Sequence, residues 1–169
     1  MEKKALPMMS FIESITTCFK KYVCFKGRAR RSEYWWFAIL NYIPSVAISY
    51  LFSWKLGQRS EIESQISNAL FDQEKQDALM AQASAIDSTF TTWACVLGLI
   101  ILLLLLPSLA ALTRRLHDTG HSGWMIWLMI IPVVNIVMGI VIFIWTIMDS
   151  KPEANKYGPS PKYVDAAVD

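Results

Sequence analysis

Three stretches of this chain contain no Asp, Glu, Lys or Arg: residues 34–54, 90–112 and 124–148. A helix needs about 20 apolar residues to cross a bilayer, so each stretch is long enough for one crossing and too short for two. The centre of the second, Leu99 to Leu106, consists only of Leu and Ile. At about −0.5 kcal/mol per residue, that centre alone favours insertion by roughly 4 kcal/mol. The expected fold is an all-α membrane protein, one domain over residues 1–169 with three transmembrane helices.

The charges crowd between the spans. Charged residues are 18% of the chain, against about 25% in a soluble domain. All seven tryptophans (Trp35, Trp36, Trp54, Trp93, Trp124, Trp127 and Trp145) fall close to a span end, at the headgroup level that their amphipathic rings prefer. Residues 1–33 hold eight Lys/Arg against three acids, whereas residues 55–89 hold three against six. The positive-inside rule therefore places the N-terminus and the short basic loop 113–123 in the cytoplasm. With three crossings, the tail 149–169 lies outside; a re-entrant third span would return it to the cytoplasm. No cleavable leader is expected, because Pro7 follows Lys3 and Lys4 and the first apolar stretch starts only at Tyr34.

Residues 10–23 predict an N-terminal amphipathic helix that lies in the interface or packs against the bundle. Phe11, Ile15, Phe19 and Tyr22 recur at helical spacing, and Ser10 with Glu13 has capping-box spacing. The polar loop 55–89 is expected to be helical, on the stripes Ile62, Ile66, Leu70 and Leu79, Ala83, Ile86. Pro152, Gly158, Pro159 and Pro161 mark the tail as irregular. Cys18, Cys24 and Cys95 suggest no disulfide framework and read as small apolar residues. Within the spans, Asn41, Ser45 and Ser49 share a face, and Ala94 with Gly98 and Asn135 with Gly139 form small-residue pairs suited to helix packing.

Three motifs remain: Gly27-Arg28-Ala29-Arg30-Arg31-Ser32-Glu33-Tyr34-Trp35-Trp36; Arg114-Arg115-Leu116-His117-Asp118-Thr119-Gly120-His121-Ser122-Gly123-Trp124; and Asn155-Lys156-Tyr157-Gly158-Pro159 in the tail. With Ile131-Pro132 in the last span, these resemble the small bacterial inner-membrane proteins catalogued as domain of unknown function 805, over about residues 18–162. The resemblance implies a bacterial inner membrane and a three-span helical fold. It carries no activity.

Both basic motifs are expected at the cytoplasmic face. One reading has the arginines set topology, snorkel to lipid and pair with Glu33 or Asp118. The sharper reading makes Arg28, Arg30, Arg31, Arg114 and Arg115 a site for anionic phospholipid headgroups, because the guanidinium fork matches phosphate. Glu33, His117, Asp118, Gly120, Ser122 and Gly123 then supply the turn and the pairing, and Asn155, Tyr157 and Gly158 the tail motif. His117, Asp118 and His121 have partial metal spacing, but Gly120 interrupts the helix and a fourth ligand is missing. No metal, cofactor or nucleic acid is expected. No nucleophile elbow, phosphate loop or zinc-protease motif occurs. The expected role is non-enzymatic, binding anionic headgroups or a protein partner, with a second copy or another membrane protein as candidates. The alternative is a subunit of an oligomeric channel or transporter, lined by Asn41, Ser45, Ser49 and Asn135.

Overall fold

The computed structural model of the chain describes residues 3–69 and 71–165. Leu70 of the expected stripe and residues 166–169 of the tail lie outside the described residues. The elements run in the order β1 (Lys3–Ala5), α1 (Phe11–Lys20), α2 (Arg31–Asn68), α3 (Gln73–Asp118), a 3-10 helix (Gly123–Ile130), α4 (Pro132–Ile147) and β2 (Tyr163–Asp165). They form two compact units. One contains both ends of the chain, through Leu40 and from Leu104 onward; the other is Asn41–Leu103.

Two helices, α2 and α3, are long and apolar enough to cross a membrane. Neither stops where its apolar stretch ends. The expected loop 55–89 continues both helices, with only residues 69–72 between them. In this Asn41–Leu103 unit, Ile62, Leu79 and Ala83 are buried, with Ile66 and Ile86 packed against them. Lys55 and Arg59 both reach Asp87, at 3.1 and 3.5 Å. The apolar stripes and these exposed ion pairs explain why a polar segment stays helical.

The third stretch departs from expectation. Residues 124–148 form no single helix; they divide into the 3-10 helix and α4, with Pro132 opening the latter. Proline lacks an N–H and fits a helix only at its first turn, so it starts a new helix here. The 16 residues of α4 rise about 24 Å, short of a bilayer core of about 30 Å. The two ends of this segment lie side by side. His121, before the 3-10 helix, stacks on Trp145 near the end of α4 with ring centroids 3.6 Å apart.

The termini also meet. β1 pairs antiparallel with β2, Lys3 opposite Asp165 and Ala5 opposite Tyr163. The β1–β2 pairing brings the two ends together, whereas the expected three crossings with the tail outside would place them on opposite faces of a membrane. The short sheet adds strand to a fold read as all-helical.

Around the termini, α1 is capped by a box in which Ser10 and Glu13 exchange hydrogen bonds. Its inner side is small. Ser14 donates to the Glu33 carbonyl at 2.6 Å, and Cys18 is buried with Phe37, Leu104 and Ala111. Phe11, Ile12 and Phe19 remain exposed. Among the described residues, a Cβ added at Gly98 or at Gly139 meets nothing within 4 Å. The close approach is at Gly123 instead, where a Cβ would lie 2.4 Å from the Thr113 methyl group.

Candidate functional site

The three motifs of the sequence gather in the unit holding the chain ends, around the last turns of α3. This helix stops at a left-handed glycine. Gly120 has φ +92°, the His121 N–H donates to the Leu116 carbonyl at 2.9 Å, and the Gly120 N–H donates to that of His117 at 3.1 Å. That pair of bonds is the Schellman stop, and it aims Arg114, Arg115 and Asp118 at the segments packed around it.

Asp118 is fully buried between two arginines. Arg28 Nε lies 2.9 Å from Oδ1 and Arg115 Nη1 2.5 Å from Oδ2. The remaining guanidinium donors go to backbone. Arg28 donates to the carbonyls of Lys151 and Glu153, both at 2.7 Å, and of Gly158 at 3.3 Å. Arg115 donates to the carbonyls of Thr146 (3.2 Å) and Ala29 (3.4 Å), and to that of Met148. One carboxylate thus anchors the N-terminal arm, the end of α4 and the tail. A second buried pair joins Arg114 to Glu33 at 2.5 Å. Arg114 Nη2 is buried with no hydrogen-bond partner among the described residues. Charges this deeply buried persist only when paired and hydrogen-bonded.

The tail motif is a clasp. Asn155 Nδ2 donates to the His117 carbonyl at 2.8 Å. Tyr157 stacks on the His117 ring at 3.7 Å. Gly158, at φ +126°, turns the chain so that its carbonyl meets Arg28. His117 Nδ1 lies 3.2 Å from the Gly27 carbonyl. A carbonyl only accepts, so Nδ1 carries the proton. Burial, opposed by that bond, holds the His117 pKa below its usual value. Burial also lowers His121. Among the described residues no three His, Cys, Asp or Glu side chains converge as metal ligands.

The predicted arginines therefore divide. Arg28, Arg114 and Arg115 are enclosed and committed to protein groups, the pairing that the sequence offered as the plainer reading. Arg30 and Arg31 stay accessible. Arg30 donates to the Pro7 carbonyl at 2.7 Å, and Arg31 lies 3.3 Å from Asp149. With Ser32, Lys162, Leu6 and Met8 they line a cleft of about 130 Å³. Lys162 joins Asp149 at 2.6 Å and, with Arg31, holds its carboxyl below the usual range; the Lys162 hydrogen bond is the largest cause. Three cations face one carboxylate, leaving a net charge of about two positive. Ser122 accepts from the Trp124 N–H at 3.4 Å.

Sequence reasoning missed Lys162 and the acceptors on residues 146–153, which are far from the motifs in the chain. It read Trp35 and Trp36 as interface anchors. Their indole N–H groups donate to the carbonyls of Thr146 and Met9, both at 3.1 Å. For the alternative pore reading, the hydroxyls of Ser45 and Ser49 donate back to their own helix, to the carbonyls of Asn41 and Ser45.

The model of the family described as protein of unknown function (DUF805) matches residues 22–159. The chain is 32% identical over 143 residues to the inner membrane protein YhaH of Escherichia coli K12, covering 85% of this chain and 91% of that one. It is 28% identical over 144 residues to the inner membrane protein YhaI of the same strain, with the same coverage, 85% and 91%. No solved structure matches.

Proposed function

This chain belongs to the DUF805 family, and from that premise we propose that it is a non-enzymatic inner-membrane protein that holds anionic phospholipid headgroups at its cytoplasmic basic face. The site is the cleft of Arg30, Arg31, Ser32 and Lys162. The observation that carries the reading is the excess of accessible cations there, beside apolar Leu6 and Met8. A phosphate can exchange for the Asp149 carboxylate on Arg31 or bridge Arg30 and Arg31. The names of the two relatives support the location. The non-enzymatic role is supported by Asp118, whose carboxylate is committed to Arg28 and Arg115.

The same proposal includes a topology. The apolar parts of α2 and α3 each cross once, the 3-10 helix and α4 enter and leave on one side, and both termini are cytoplasmic. The exposed Phe11, Ile12 and Phe19 of α1 rest in the lipid interface.

Native mass spectrometry of protein released from its own membrane tests the headgroup site. Wild type should retain phosphatidylglycerol or cardiolipin, and Arg30→Gln/Arg31→Gln should lose it while inserting normally. Equal retention by both proteins would reject the site. Replacing Arg114 or Arg115 is the wrong experiment, since those side chains hold the fold.

A further inference from the structure

A second cleft, of about 570 Å³, lies in the same unit, lined among others by Leu106, Thr113, His117, Ser122, Trp127 and Tyr157. We infer that it is a binding site for an uncharged lipid alcohol, an apolar chain ending in a free hydroxyl. Its size falls within the range of about 300–1,000 Å³ usual for small-molecule sites. Among the described residues no Asp, Glu, Lys or Arg lines it, unlike the Arg30–Arg31 cleft; Lys156 Nζ, 4.9 Å from the Tyr157 ring centroid, is outside the lining.

Besides the indoles, the lining carries hydrogen-bonding side chains at Thr113, His117, Ser122 and Tyr157, which suit a head that both donates and accepts. His117 Nδ1 carries the proton because it faces the Gly27 carbonyl. Nε2 is therefore the acceptor, and a neutral imidazole is favoured by the lowered pKa. An acceptor lone pair seeks an O–H, which esters, ethers and carboxylates lack. The hydroxyls of Thr113, Ser122 and Tyr157 can donate back to the oxygen of the ligand. Trp124 and Trp127, 78% and 59% exposed, stand at the same cleft with Leu106 and receive the chain.

The experiment uses the full-length protein in nanodiscs and an oleyl alcohol carrying a diazirine on its chain. Photolabelling should map to residues 106–127. Unlabelled oleyl alcohol should compete about tenfold better than oleyl methyl ether, the scale of one hydrogen bond. His117→Phe removes the acceptor while keeping a ring to stack on Tyr157, and should erase that preference; Thr113→Val/Tyr157→Phe removes two donors that either oxygen can use, and should weaken the alcohol and the ether alike. Arg30→Gln/Arg31→Gln should leave the preference intact, which separates this site from the headgroup cleft. Equal competition by the ether, better competition by oleate or phosphatidylglycerol, or labelling spread evenly over all three apolar stretches would each overturn the assignment.

Discussion

At the scale of the residue, a single carboxylate decides most. Asp118 neutralises Arg28 and Arg115, and those two guanidinium groups hold carbonyls from residues 29, 146, 148, 151, 153 and 158. Asp118→Ala leaves two buried cations against nothing. It should destabilise the protein by about 3–5 kcal/mol, the usual cost of breaking a buried pair, whereas Arg30→Gln should change stability by less than about 0.5 kcal/mol. Cys18, packed with Phe37, Leu104 and Ala111 beside the Glu33 carbonyl, reports on this through the packing of α1. Its thiol is fully buried, and burial pushes its pKa up to about 11. In wild type a water-soluble maleimide should label the exposed Cys24 quickly and Cys18 slowly; in Asp118→Ala the Cys18 rate should rise well before heating does the same to wild type. Unchanged labelling would mean that the pair holds nothing in place. The sequence shows the arginines and both carboxylates, but not which arginines are enclosed. Arg28 and Arg30 are two positions apart, and Asp118 with the tail carbonyls, 90 or more residues downstream, makes one a staple and leaves the other accessible.

At the scale of the element, the readable features were the local ones. Ser10 and Glu13 form the capping box their spacing suggests, and Gly120 ends α3. What periodicity could not resolve is the third apolar stretch. Residues 124–148 have no charge to mark a boundary, and a uniformly apolar run looks the same as one helix or two. The division rests on Pro132 and on the approach of the 3-10 helix to α3, where Gly123 meets the Thr113 methyl group. Gly123→Ala should therefore cost about 1–3 kcal/mol by overpacking. Gly139→Ala, with open space around it, should be neutral or slightly stabilising, since alanine is the better helix former. Thermal aggregation midpoints of the two variants in one detergent provide the comparison. Equal midpoints would contradict the close packing of the 3-10 helix on α3.

At the scale of the whole molecule, the question is how many times the chain crosses. Hydropathy counts apolar stretches, and three stretches of sufficient length give three crossings. It cannot register that β1 meets β2, because three residues of strand at each end carry no signal above the surrounding loops. On the proposed topology the paired ends share one face after an even number of crossings, and the basic N-terminal segment places both in the cytoplasm. Alkaline phosphatase is active only outside the cytoplasm, and green fluorescent protein fluoresces only within it. Fused after Asp169, the phosphatase should be silent and the fluorescent protein bright, as they should be when fused before Met1. A phosphatase active at Asp169 and silent before Met1 would restore the third crossing. The β1–β2 pairing could not then exist in the membrane, and neither could the cleft that needs Lys162 beside Arg31, so the headgroup site would fall with the topology.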